Sequence, residues 1–184
     1  MGIYIVAMSA LFFLAFAYFA VGQAAVTRNS AQTAADAAAL AAARELRDEV
    51  KVDFLRALTG DDLDALARLL ANAGTDDGSA CAAAGTYADD NQAELRGCDP
   101  VSGPPGYTVT VRTLGTVGSS VIDGTEDKHA EATATAVVEP RCTFGDKDGH
   151  TIRFACRDGD LTIDPTADGF TLDLSAFYSV HLSK

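Results

Sequence analysis

The sequence lacks the short motifs that mark most enzymes and nucleotide-binding proteins. It contains no G-x-S-x-G nucleophile motif, no glycine-rich phosphate loop and no pattern that pairs a nucleophile with a base. Its three histidines are dispersed: His129 among charged residues, His150 in a turn and His181 on the polar face of the last predicted strand. We therefore predict no catalytic residue and no cofactor, and we expect a function that is not enzymatic.

Basic residues and metal-ligand patterns are also scarce. Lys and Arg number 14 against 26 Asp and Glu, which gives a formal net charge of −12. Such a chain repels phosphate backbones, so nucleic acid is excluded as a partner. No C-x-x-C spacing occurs, and Asp146 and Asp148 stand in a GDKDG turn without the closing glutamate of an EF-hand loop. No metal site is predicted.

Four cysteines, Cys81, Cys98, Cys142 and Cys156, follow a hydrophobic N-terminus. An even number in a small domain of this kind predicts two disulfides and an oxidising compartment. Three pairings are possible. We favour Cys81–Cys98 and Cys142–Cys156, because each closes a short loop whose constraint on the unfolded chain contributes roughly 3 kcal/mol.

The N-terminal segment has no charged residue before Arg28. About 20 apolar residues match the hydrocarbon thickness of a bilayer, so residues 1–25 are predicted to be a transmembrane or filament-core helix. Phe12 and Phe16 are expected to be helix-packing residues within it. A cleaved signal sequence is the alternative, although no basic region precedes the run and the run exceeds the usual 7–15 residues. The cysteines predict a single-pass protein of the cytoplasmic membrane with its head outside.

Residues 26–50 are rich in alanine and contain neither glycine nor proline. Alanine is the strongest helix former, so one helix is predicted to run from Ile3 to about Val50, a length of about 70 Å. We interpret residues 26–50 as a stalk. Small side chains let helices approach closely, so five alanines are predicted to pack against other helices, with a stiff spacer as the alternative: Ala31, Ala34, Ala35, Ala38 and Ala42.

Residues 51–184 are predicted to form an extracytoplasmic head, which makes the fold class α+β. A second short helix is expected between Lys51 and Gly74, broken from the first at Gly60 and capped by Asp61 or Asp62. After Gly74 only strands are predicted, from alternation of apolar and polar residues around 107–112, 130–136, 152–154, 161–163, 170–175 and 178–182. Alternation of this kind favours antiparallel sheets with one buried face.

The apolar segment followed by GQAAVTRNSAQTAADAAALAAARELRDE, from Gly22 to Glu49, resembles the TadE/TadG-like proteins of the tight-adherence (Tad or Flp) pilus system. The variant is most similar to those of actinobacteria. The resemblance implies a minor pilin or pseudopilin whose helix lies in the membrane and then packs against other pilin-like subunits in a surface filament. The alternative is a stand-alone, membrane-anchored receptor or adhesin, whose ligand the sequence does not identify.

Overall fold

The computed structural model describes residues 2–71, 78–116, 118 and 127–183. Its dominant element is one long helix, α1 (Gly2–Glu49), of 48 residues, which corresponds to about 72 Å at 1.5 Å per residue. This confirms the predicted continuous helix. Two short helices follow, α2 (Lys51–Thr59) and α3 (Leu63–Ala71), and a fourth, α4 (Ser79–Asp90), precedes the first strand. The fold is α+β, as predicted.

In the described part of the chain, seven strands form two antiparallel sheets. The larger sheet has the order β1-β2-β3-β7 and the smaller the order β4-β5-β6. The strands are β1 (Ala93–Val101), β2 (Gly106–Thr113), β3 (Glu131–Pro140), β4 (Cys142–Asp148), β5 (Thr151–Cys156), β6 (Leu161–Ile163) and β7 (Tyr178–Leu182), with a 3₁₀ helix at Leu174–Ala176 before the last.

The larger sheet has one apolar and one polar face, as period-two alternation predicts. In β2 the side chains of Tyr107, Val109 and Val111 are buried. On the opposite face, the hydroxyls of Thr108 and Thr135 lie 2.8 Å apart across the β2–β3 pair. Direct cross-strand pairs of this kind stabilise a sheet. The buried face therefore points to the core, where α1 contacts β2, β3 and β7.

The alanine-rich part of α1 is part of this core. Ala34, Ala38 and Ala42 have no exposed surface, because α4 and the larger sheet cover the helix. Helix α4 contributes its own buried alanines, Ala80 and Ala84. The predicted stalk over residues 26–50 is thus wrong from Ala31 onwards. Small side chains do permit close approach, but the approaching elements belong to the same chain.

The smaller sheet joins the head through aromatic contacts. The Phe154 ring in β5 lies 5.0 Å from the Phe177 ring, which in turn lies 4.7 Å from Phe54 of α2. An ion pair between Lys147 and Asp61 links β4 to the segment between α2 and α3. Both sheets therefore share one hydrophobic core with the helices.

Several local predictions need correction. The chain from Ser79 to Asp90 is a helix, not a strand region. The alternating segment after Phe170 is irregular until the 3₁₀ helix, although Leu172 and Leu174 are buried as the alternation requires. Strand β4 extends into the predicted turn at 145–149 as far as Asp148, with an irregular register between Phe144 and Lys147, and the turn itself begins at Gly149.

Helix α3 begins as predicted. The Asp62 carboxylate accepts a hydrogen bond of 2.8 Å from the backbone N–H of Ala65, which satisfies a donor that the first helical turn leaves free. Leu66 and Leu70 are buried on the side of α3 that faces β4. Gly60 separates α2 from α3, whereas α1 ends at Glu49.

Candidate assembly surface

The first half of α1 exposes apolar side chains on all sides. Phe12 is 63% exposed and Phe16 is 59% exposed. The other large apolar side chains of this stretch are likewise exposed: Ile3, Tyr4, Ile5, Val6, Met8, Leu11, Phe13, Leu14, Tyr18, Phe19, Val21 and Val26. A helix that is apolar all round requires an apolar environment, either lipid or other apolar helices. This stretch of α1 is long and apolar enough to cross a membrane.

The transition from exposed to buried helix occurs between Val26 and Ala31. Here the Thr27 hydroxyl donates to the carbonyl of Gln23 and the Ser30 hydroxyl to the carbonyl of Val26, both at 3.0 Å. These bonds satisfy the hydroxyls within the helix itself. A shallow hollow follows, lined by Val26, Asn29, Ser30 and Thr33 of α1 and by Asn91 at the end of α4.

Helix α4 is antiparallel to the second half of α1. Its first residue, Ser79, donates a hydrogen bond of 2.7 Å to the carboxylate of Glu49 at the end of α1. Its far end at Asn91 lies beside Asn29 and Thr33. The end of α4 and the hollow therefore define the part of the head nearest the exposed apolar helix.

The predicted helix-packing residues fall into two groups. Phe12 and Phe16 lie on the exposed apolar part of α1 and are accessible to a partner. The predicted alanines, Ala31, Ala34, Ala35, Ala38 and Ala42, have no exposed surface and pack inside the head. Contact between these alanines and a neighbouring subunit would require the head to open. The exposed apolar surface of α1 is therefore the helix before residue 27.

Both predicted disulfides are present. Cys81–Cys98 joins α4 to β1, and Cys142–Cys156 joins the paired strands β4 and β5. The histidines do not converge: His129 contacts the backbone carbonyl of Thr113 at 2.7 Å, whereas His181 is exposed on β7. Within the described residues, no three His, Cys, Asp or Glu side chains are grouped so as to hold a metal.

Three ionisable groups of the described residues have shifted pKa values, each with a structural cause. Hydrogen bonds from Thr166 lower the pKa of Asp164, and hydrogen bonds from Ser175 lower the pKa of Asp173, the residue that caps the 3₁₀ helix. Burial raises the pKa of Tyr178, whose hydroxyl donates to a backbone carbonyl. All three shifts follow from structural hydrogen bonding and burial. None of these groups lies on the exposed apolar helix.

Helix α1 contains the part of the chain that matches a known family. Residues 2–45 match a family model described as putative Flp pilus-assembly TadE/G-like. The match covers the N-terminal quarter of the chain, which we call the TadE/G-like segment. No curated protein and no solved structure matches the chain.

The TadE/G-like segment covers both parts of α1, the exposed apolar part and the alanines that form the core of the head. The match supports the interpretation of the chain as a Tad pilus-associated protein. This agrees with the resemblance identified from the sequence. The strands and the other helices lie outside the matched residues. The predicted actinobacterial type stays a prediction.

Proposed function

We propose that this protein is a minor pilin or pseudopilin-like subunit of a Tad/Flp-type surface pilus. The observation that carries the proposal is the division of α1. Its first half exposes apolar side chains on every side, and its second half lies in the core of a folded head. One rigid helix thus connects an apolar assembly surface directly to the head, and that helix coincides with the TadE/G-like segment.

The exposed helix can occupy two apolar environments in turn. Before assembly, residues 3–25 lie in the cytoplasmic membrane. In a filament, the same side chains pack against the apolar helices of other subunits. Because lipid tails and apolar helices solvate these side chains similarly, van der Waals packing drives association between helices. Phe12 and Phe16 supply large packing surfaces at the middle of this stretch.

The head is proposed to be extracytoplasmic and to face solvent. The two disulfides agree with an oxidising compartment. The net charge of −12 favours a soluble surface that resists association between heads. The proposed role is structural and not enzymatic, with pilin-like subunits and the membrane as partners and with no nucleic acid, cofactor or metal.

The proposal is tested by shearing filaments from cells and detecting the head in the sheared and membrane fractions. We compare the wild type with a double variant, Phe12→Ala with Phe16→Ala, which keeps the helix apolar but removes two large packing surfaces. The control is Phe12→Leu with Phe16→Leu, which keeps large apolar side chains. We expect the wild type and the leucine control in sheared filaments, and the alanine variant mainly in the membrane.

Two results would contradict the proposal. If the alanine variant enters filaments as well as the wild type does, packing through Phe12 and Phe16 is not required. If the wild type stays wholly in the membrane fraction, the chain is an assembly factor or a stand-alone anchored receptor, and the pilin role is wrong.

A further inference from the structure

The head leaves one side of the second half of α1 uncovered. Among the buried alanines, a row of residues at a spacing of four stays exposed or half-buried: Arg28, Gln32, Asp36, Leu40 and Arg44. Residues four apart are neighbours on the surface of a helix, and such a row forms a ridge. We call these five residues the α1 ridge. It begins just beyond the exposed apolar part of α1 and runs along the side that α4 and the larger sheet do not cover.

The α1 ridge carries charges of alternating sign. Arg28, Asp36 and Arg44 are the first three charged residues of the chain, and they follow one another at intervals of eight residues. At 1.5 Å per residue, each interval is about 12 Å along the helix. The ridge residues between them, Gln32 and Leu40, are uncharged. The ridge is therefore positive, negative and positive at equal distances.

The ridge charges have no opposite charge beside them in their own chain. Within the part of the chain that the structure describes, none of the three forms an ion pair. The Asp36 carboxylate accepts a hydrogen bond of 2.7 Å from the side-chain amide of Gln32, so both side chains lie together on the ridge. Arg28 and Arg44 are exposed. All three charges are thus accessible to a neighbouring molecule.

We propose that the α1 ridge sets the stagger between two copies of this chain that pack side by side. Arg28 of one copy contacts Asp36 of the next, and Asp36 of the first contacts Arg44 of the next. A shift of eight residues, about 12 Å along the helix, makes both contacts at once. A second copy fits because the ridge is complementary to itself at this shift. This inference rests on the assembly role in the proposed function.

Charge disfavours the other parallel arrangements of two copies. In the proposed function both helices leave the same membrane in the same direction, so they pack in parallel. Without a stagger, each ridge charge faces its own counterpart and is repelled, and a shift of sixteen residues places Arg28 beside Arg44. Complementary charges fix register and exclude wrong pairings more than they add affinity. The apolar part of α1 then supplies the attraction between helices, and the α1 ridge supplies the register.

Cross-linking on cells measures the stagger directly. Asn29 and Ala37 are eight residues apart in the row beside the ridge, and they are exposed and half-buried, respectively. We co-express two full-length variants with different tags, Asn29→Cys and Ala37→Cys, and treat the cells with a short bismaleimide. The native cysteines do not react, because all four are in disulfides. We expect cross-links between the two variants, and few when either variant is expressed alone.

Charge reversal tests whether the ridge causes this stagger. Asp36→Lys makes all three ridge charges positive, so the cross-link is expected to fall roughly fivefold, since two exposed ion pairs become repulsive. The triple variant Arg28→Glu, Asp36→Lys, Arg44→Glu inverts every sign and is expected to restore it. The control Asp160→Lys makes the same change of charge at an exposed site before β6, in the smaller sheet, and is expected to leave the cross-link unchanged.

The outcomes separate the inference from the proposed function. If sheared filaments contain the chain but the two variants are not cross-linked, the pilin role stands and the inference is wrong. Cross-links within one variant that match those between the two indicate pairing without a stagger, which also contradicts it. A cross-link that survives Asp36→Lys in full, or that the triple variant does not restore, shows that charge does not set the stagger. If the chain is absent from filaments, the pilin role fails and the inference fails with it.

Discussion

The Tyr178 hydroxyl donates a hydrogen bond of 2.6 Å to the backbone carbonyl of Leu69, across 109 residues of chain. The bond joins the start of β7 to helix α3, and the Tyr178 ring also lies edge-on to Phe54 of α2 at 6.3 Å. A single buried side chain thus ties the short helices to the larger sheet.

Loss of this hydrogen bond is expected to destabilise the head. Tyr178→Phe keeps the ring but leaves the carbonyl of Leu69 without this partner, at a cost of about 1–3 kcal/mol in the free energy of unfolding. The control Tyr87→Phe, at an exposed position, is expected to change it little. Denaturant titration of both full-length variants in detergent measures the difference, and equal midpoints would count against the role of the bond.

The stability of the head is expected to fall at high pH. Burial raises the pKa of Tyr178 above its ordinary value of 10.0. A group whose pKa is higher in the folded state stabilises the fold fully at pH values below its pKa in the unfolded chain. This stabilisation is lost as the pH rises towards its pKa in the folded protein. The wild type should therefore lose unfolding free energy above pH 10 more steeply than Tyr178→Phe does. Parallel pH profiles would show that Tyr178 does not titrate in this way.

The buried alanines of α1 are expected to tolerate no enlargement. Ala38→Leu places three extra carbons in a site with no exposed surface, where overpacking typically costs 1–3 kcal/mol or more. Ala82→Leu makes the same change at an exposed position of α4 and is the matched control. Thermal unfolding followed by circular dichroism should show a lower unfolding temperature for Ala38→Leu only. An unchanged transition would indicate that α1 is not packed in the head.

Gly106 is the first residue of β2 and lies close to the backbone of β3. A Cβ at this position would collide with the backbone of Ala136 and Val137 in β3. Gly106→Ala is therefore expected to separate the ends of β2 and β3 and to lower stability. Gly97→Ala in β1 is the control, since its nearest neighbouring atoms lie at 3.7 Å, an ordinary contact distance. Amide hydrogen exchange should increase in β2 and β3 of the first variant only.

Each disulfide is expected to stabilise a different part of the head. Replacing Cys81 and Cys98 by alanine should increase exchange in α4, whereas replacing Cys142 and Cys156 should increase it in β4 and β5. Each loss is expected to cost about 3 kcal/mol, because the closed loops contain 17 and 14 residues. If reduced and oxidised protein unfold at the same temperature, the disulfides do not stabilise the head.

The elements predicted correctly from the sequence are those with a strong local signal. The alanine run and the absence of glycine and proline predict α1, and strict alternation predicts β2 and β7. The short cysteine separations predict both disulfides. In each of these cases the local preference of the chain agrees with its tertiary environment.

The errors arise where the decisive partner is remote in sequence. Alanine composition shows that α1 can be approached closely, but it does not show whether the neighbour is a second subunit or the sheet of the same chain. Helix α4 has no side-chain cap at Gly78 and contains Gly85, so its start resembles a loop. Leu172 and Leu174 lie in a segment that is not a strand. Its side chains nevertheless alternate between exposed and buried, as they would in a strand.

The central claim is that the apolar part of α1 stays attached to the head and enters the filament with it. The most direct test is mass spectrometry of purified, sheared filaments after cleavage at arginine. We expect a peptide that contains residues 3–25 and ends at Arg28, together with peptides of the head. Filaments that contain head peptides but lack this N-terminal peptide, or that lack the chain altogether, would show that the apolar helix does not enter the filament with the head.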